Sequence, residues 1–283
     1  MIWILFSIGI FIMMVIVFFL IPFSKTKNNF LNDVQKHSEQ PFKQSGVFTE
    51  QDIAFLPEPV QRHFRAAGFI GKPKMAKMTT YMKSVPLKES GNKPPMIVDY
   101  TLNLFAYKPI RLAYIKTSLF GIPFEGYDSL QDGVGFMKGV LGKVVTLFNQ
   151  TGDEMDKAQL LTYLAECFLC PAIILNGYIK WESIDKDLVK ATITYKNISG
   201  SGVFTFSDGG LFQSFSTDER AAVSPDGKTE YPKWSVVVED YQNIKGINLP
   251  KKVKAIWHLN DGDLVYFDAN NFEIIFDDVF ANQ

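Results

Sequence analysis

Residues 97–105 read IVDYTLNLF. Val98, Tyr100, Leu102 and Leu104 alternate with Asp99, Thr101 and Asn103. Successive side chains of a strand point to opposite faces, so a period of two describes a strand with one face on a core and one on water. The same alternation returns in VKATITY (189–195), where Val189, Ala191, Ile193 and Tyr195 share a face. In VKAIWHL (253–259) the shared face is Val253, Ala255, Trp257 and Leu259. Such alternation belongs to antiparallel sheets. Turn-forming clusters separate the runs: DKD at 185–187, SDGG at 207–210, SPDG at 224–227 and NDGD at 260–263. About ten to twelve strands are expected from Met75 onward.

Two helical stretches interrupt this pattern. In TEQDIAFLPEPVQRHFRAAGF (49–69), Thr49 and Asp52 have the spacing of a capping box, and Leu56, Val60, Phe64 and Ala67 fall at helical spacing before Gly68. One short amphipathic helix is expected there. In GDEMDKAQLLTYLAECFLCP (152–171), acids occupy the first turn, which the helix dipole favours, and Pro171 ends the run. The order helix, strands, helix, strands implies a mainly β, α+β fold. Its large antiparallel sheet curls around one or two helices.

The N-terminus has a different character. MIWILFSIGIFIMMVIVFFLIPF (1–23) carries no charged side chain. About 20 apolar residues cross the hydrocarbon core of a bilayer as a helix. A cleaved signal needs a basic start, a shorter apolar run and a small-residue cleavage site, and these are missing. The expected organisation is a transmembrane anchor over 1–23, a polar juxtamembrane linker over 24–48 and a single β-rich globular domain over 49–283. Lys25, Lys27 and Lys36 follow the anchor, and the positive-inside rule applied to them places the domain in the cytoplasm.

Composition excludes some functions. The 283 residues carry a net charge of −1, which gives no basic field for nucleic acid. Hydrophobic residues make up 47%, with 25 phenylalanines, enough for a core and the lining of a cavity. Cys167 and Cys170 are the two cysteines, in a C-x-x-C spacing. A redox pair of this kind sits at a helix N-terminus, where the dipole lowers the thiol pKa, whereas this pair lies in the last turn before a proline. A structural zinc site takes four Cys or His ligands, and His37, His63 and His258 are scattered. The cysteines are read as core, and neither metal nor cofactor is implied. His63 is placed on the polar side of its helix. SGSG at 199–202 reads as a hairpin turn, and DGVGFMKGVLG (132–142) as a turn and a small-residue strand, since it lacks the Gly-Lys-Ser/Thr of a phosphate loop.

Glu166 is the conspicuous polar residue, a single charge inside LLTYLAECFLCPAIIL (160–175). A carboxylate in such a run is exposed or buried with a partner, and Arg220 is the partner expected. Trp181, Trp234 and Trp257 are strand aromatics. The plain reading of such aromatics is a packed core; read functionally, they line an apolar groove for a lipid-like ligand.

LPEPVQRHFRAAG (56–68), TYLAECFLCPAIIL (162–175), IKWESID (179–185), GVFTFSDGG (202–210) and PKWSVVVEDYQNIKGINLPKKVKAIWHL (232–259) together resemble an uncharacterised bacterial family, a domain of unknown function with an N-terminal membrane helix. Glu166, Arg220, Trp181, Trp234, Asp240, Tyr241 and Trp257 lie on its recurring positions; the two cysteines do not. The resemblance implies a shape similar to the bacterial lipoprotein-carrier (Lol) half-barrel, and no reaction. Such carriers work outside the cytoplasm, against the lysine argument, which leaves the side open with the balance toward the extracytoplasmic face. The function expected is a membrane-anchored module binding a lipid or other hydrophobic ligand. The alternatives are an envelope interaction protein without a small ligand, and an enzyme using Glu166 with Arg220 and Asp240 or Tyr241.

Overall fold

The computed structural model describes residues 2–41, 46–89, 93–223, 228–270 and 272–276; the SPDG turn expected at 224–227 lies outside them. Five α-helices are described: α1 (Ile2–Leu20), α2 (Lys25–Ser38), α3 (Glu50–Ile53), α4 (Glu58–Ala66) and α5 (Asp153–Ala165). The first run of strands is β1 (Lys77–Leu87), β2 (Met96–Phe105), β3 (Ile110–Leu119), β4 (Ile122–Gln131), β5 (Val134–Leu141) and β6 (Val145–Gln150). After α5 come β7 (Ile179–Ser183), β8 (Leu188–Tyr195), β9 (Ile198–Phe206), β10 (Phe212–Thr217), β11 (Ala222–Val223) and β12 (Thr229–Glu230). The last four are β13 (Lys233–Ile244), β14 (Ile247–Leu259), β15 (Gly262–Asn270) and β16 (Glu273–Phe276). The sixteen described strands exceed the ten to twelve expected, in large part because the short β11, β12 and β16 carry too few residues for a visible period.

Fourteen strands form one antiparallel sheet in the order β6-β5-β4-β3-β2-β1-β15-β14-β13-β10-β9-β8-β7, with β16 also on β1; β11 and β12 make a separate ribbon. The chain walks outward from β1 to the β6 edge by hairpins and crosses through α5 to the opposite edge. It then walks back until β15 meets β1. The strand β8 keeps the alternation read from the sequence, with Val189, Ala191, Ile193 and Tyr195 buried.

The crossover dictates the curl. β5 and β9 stand nine strand spacings apart, which is about 43 Å on a flat sheet at ~4.8 Å per strand. Helix α5, with 13 residues, is only about 20 Å long, yet it packs on both. The sheet must therefore wrap around it. Glycines permit the close approach on each arm: a Cβ at Gly135 would lie 2.8 Å from the Met155 carbonyl oxygen, and one at Gly200 would lie 2.8 Å from Leu161 Cδ2. SGSG at 199–202 is thus the middle of β9 and not a turn; its glycines answer to packing. At one end the arms touch, where Lys196 Nζ donates to the Asp132 carbonyl oxygen.

Within the stretch expected to be a linker, α2 folds and lies on the outer face of β3 and β4. Its Phe30 ring packs 5.4 Å from Tyr114 and 5.7 Å from Tyr127, measured between centroids. Tyr127 donates to Asp33 over 2.6 Å, and His37 bonds Tyr107 and Gln131 over 2.5 and 2.7 Å. This explains why β3 is buried on both faces from Ile110 to Ile115.

The helix expected over 49–67 is instead two. The Thr49–Asp52 capping box forms as read, with Asp52 accepting from the Thr49 amide over 2.8 Å. The run breaks before Pro57, because a proline disfavours the helical region for the residue that precedes it, and Pro57 itself is extended at φ −56°, ψ 148° where α4 begins. Helix α1 has no buried residue. Its 19 residues measure about 29 Å, close to the thickness of a bilayer core.

Candidate functional site

A cavity of about 660 Å³ opens between α5 and the middle of the sheet. Its apolar wall comes from the inward positions of β13 and β14, among them Val236, Val238, Leu249, Val253 and Ala255. That volume falls in the range of small-molecule sites, which are mostly apolar with a few placed polar groups.

The polar part of the wall centres on Arg111, which is 3% exposed. Its Nε donates to Glu166 Oε2 over 2.7 Å and its Nη2 to Glu166 Oε1 over 2.9 Å. Nη1 donates to Asp128 over 2.7 Å, and Nη2 also to the Tyr100 hydroxyl over 2.7 Å. Gln159 closes the group by donating to Asp128. Burial works against the guanidinium charge, and Glu166 and Asp128 more than offset it, so Arg111 stays charged. Both carboxylates and Arg111 line the cavity.

Arg111 therefore takes the place expected of Arg220 beside Glu166. The sequence offers little to identify it: YKPIRLAYIK reads as an ordinary apolar strand with one arginine. β3 turns that side chain inward because Ile110, Leu112 and Tyr114 face α2 on the other side. Arg220 sits instead in the connection after β10. Its guanidinium carbon lies 4.5 Å from the Trp234 ring centroid and 5.1 Å from that of Trp257. Its Nε donates to Thr162 Oγ1 over 3.0 Å.

Trp234, Trp257 and Tyr241 line the same cavity. Trp234 Nε1 donates to the Tyr266 hydroxyl over 3.0 Å, and Tyr266 stacks on Trp257. Tyr241 donates its hydroxyl to the Phe212 carbonyl over 2.6 Å. Asp240 and Trp181 do not join them. Asp240 pairs with Lys252 at the surface over 2.6 Å, so the constellation Glu166, Arg220 and Asp240 does not assemble. Trp181 packs on Phe168 and Phe204 and donates to the Ile174 carbonyl over 3.2 Å.

His63 also lines the cavity. It is 2% exposed, and its helix face is buried rather than polar, because the returning β9–β10 turn covers it. The Phe212 amide donates to Nδ1 over 3.1 Å, which leaves the proton on Nε2. Among the described residues Nε2 has no hydrogen-bond partner, and the His63 ring stands edge-on to Phe168 at 4.8 Å. Burial pushes its pKa down to about 3. Cys167 and Cys170 are both buried in the 3₁₀ turns that follow α5, and burial pushes the Cys167 thiol well up. Among the described residues no cluster of His, Cys, Asp and Glu could hold a metal ion.

The sequence pattern of a family of unknown function, DUF6544, matches residues 46–269. No curated protein matches. Among solved structures, a LolA superfamily protein from Nitrosomonas europaea is similar at 12% identity and a TM-score of 0.40, over 76% of this chain and 92% of its own. A protein domain described as outer membrane lipoprotein-sorting, from Vibrio parahaemolyticus, is similar at 11% identity and a TM-score of 0.38, over 73% of this chain and 90% of its own.

Proposed function

Since the chain belongs to DUF6544, a family of unknown function, its role has to be read from its own cavity, and we propose a membrane-anchored module that holds a lipid or other hydrophobic ligand inside the curled sheet. The observation that carries this is the cavity of about 660 Å³, walled by the apolar residues of β13 and β14. Side chains packed to native density would leave no such space.

Three features support the anchor. Helix α1 is apolar around its circumference and exposed except at the half-buried Phe19, a composition that suits lipid and not water. Lys143, at the tip of the β5–β6 hairpin, donates to the carbonyl oxygens of Phe19 and Ile21 over 3.1 and 2.5 Å, tying the domain to the end of that helix. Beside this tie the hairpin tips expose Phe120, Ile122, Val144, Val145 and Leu147. Apolar tips next to an apolar helix fit a domain resting on the bilayer surface. The soluble domain is placed on the extracytoplasmic side, a reading that rests on the sequence resemblance alone.

Native mass spectrometry of the detergent-extracted full chain tests the ligand. Adducts of lipid mass, released on unfolding, are the expected result. A chain that flies without adduct and shows no change in tryptophan emission with any long-chain alcohol overturns the reading. The side is read by a membrane-impermeant maleimide on Asp208→Cys in intact cells. Asp208 is an exposed turn residue and both native cysteines are buried, so labelling reports that site.

A further inference from the structure

We propose that Arg220 is a head-group anchor, and that the cavity takes an amphiphile with one anionic head, a carboxylate or a phosphate, on an apolar tail. This rests on the ligand-binding reading above and narrows it to a chemical class.

The argument starts from the charged residues in the wall. Glu89 pairs with Lys93 over 2.8 Å, and Lys228 pairs with Glu230. Arg111 pairs with Glu166 and Asp128. Arg220 alone, among the charged wall residues described, has no carboxylate at ion-pair distance. The chain has four arginines, and the other three all have one: Arg62 holds Glu58 and Asp187, Arg65 holds Glu50, and Arg111 holds its two.

The geometry suits recognition as well as charge. Trp234 and Trp257 hold the guanidinium through their ring faces, and Thr162 takes its Nε. Among the described residues neither terminal nitrogen has a hydrogen-bond partner. A stacked guanidinium is fixed in orientation while its edge donors stay available, and that edge matches a carboxylate or phosphate in two parallel bonds. Glu166 attracts Arg220 only through space, because Arg111 occupies both of its oxygens. A cationic head would find no such opening, since Glu166 and Asp128 already accept from Arg111 and Gln159, and Glu89 and Glu230 already pair with lysines. The apolar residues of β13 and β14 that continue from Trp234 and Trp257 provide the bed for a tail.

The test uses the full chain in lipid nanodiscs and three ligands with one tail: decanoate, decyl phosphate and decanol. Trp234 and Trp257 emission reports occupancy. The expected result is that decanoate or decyl phosphate binds at least tenfold tighter than decanol, and that whichever wins tells a fatty-acid head from a phospholipid one. Arg220→Gln removes that margin and leaves decanol binding within twofold of the parent; Arg220→Lys keeps part of it. Equal affinity for all three in the parent chain, or an undiminished margin in Arg220→Gln, overturns the anchor while the cavity reading stands. Failure of all three to bind, decanol included, overturns both. A melting curve for Arg220→Gln that matches the parent ties the lost margin to the head group and not to unfolding.

Discussion

Arg111 and Glu166 meet through two parallel hydrogen bonds of 2.7 and 2.9 Å although 55 positions separate them in the chain. One is on a strand of the outgoing arm, the other caps the crossover helix. The pair joins the sheet to the helix it wraps, and Asp128 and Tyr100 complete it.

Breaking this pair from its two sides has unequal consequences. Arg111→Met leaves Asp128 and Glu166 facing each other in the wall, and a stability loss of about 3–5 kcal/mol is expected. Glu166→Gln leaves Arg111 with Asp128 and one acceptor, and a loss of about 1–3 kcal/mol is expected. At ~2–4 °C per kcal/mol for a domain of this size, thermal melts resolve the two. Equal melting temperatures for both variants and the parent would show that the network does not hold the helix to the sheet.

His63 makes stability depend on pH. Its ordinary pKa is 6.5, and burial lowers it to about 3 in the fold. Between these values the unfolded chain binds a proton that the native state refuses, so stability falls as pH drops from 6.5 toward 3. The slope is about 1.4 kcal/mol per pH unit from this group. His63→Gln, which keeps an acceptor for the Phe212 amide, is expected to flatten the slope between pH 6 and 4 in denaturant titrations. An unchanged slope would assign the acid sensitivity to the carboxylates.

Gly202 is a packing glycine. A Cβ there would lie 2.2 Å from Phe215 Cζ and 2.7 Å from the Ser216 carbonyl oxygen, which belongs to the backbone and cannot move aside. Gly202→Ala is expected to cost about 1–3 kcal/mol. Gly177, with nothing within 4 Å, is the control, and Gly177→Ala is expected to stay within ~0.5 kcal/mol. Chemical denaturation of both variants measures the difference.

Phe120 holds a left-handed φ of 52° with its ring fully exposed. A bulky side chain at such a φ is uncommon, and strain of this kind gathers at functional positions. A spin label on Phe120→Cys in the full chain, reconstituted in nanodiscs, is expected to meet oxygen more than a water-soluble nickel chelate. A label on Asp208→Cys is expected to show the reverse. Preferential nickel access at position 120 would lift the hairpin tips off the bilayer.

The buried thiols are expected to be silent. Cys167 and Cys170 are fully buried, and a thiol is reactive only as an accessible thiolate. Native protein should give no thiol titre with an aromatic disulfide reagent, and unfolded protein should give two. A fast native titre would reopen redox chemistry at this pair.

Local chemistry in the sequence determined a great deal about this protein. The alternation in 97–105 and 189–195 made the strands, the Thr49–Asp52 spacing made a cap, and the unbroken apolar run made α1, because each depends on residues a few positions apart. The tertiary structure decided what those elements face. SGSG is strand and not turn because α5 presses on Gly200, and His63 is buried because the β9–β10 turn folds over it. Glu166 was legible as a charge that needed a partner, but its choice of Arg111 over Arg220 was not. Both arginines are far along the chain, and which one reaches the helix is set by how the sheet curls. That curl also freed Arg220 to lie on Trp234 and Trp257, where among the described residues it lines the cavity with no carboxylate at ion-pair distance.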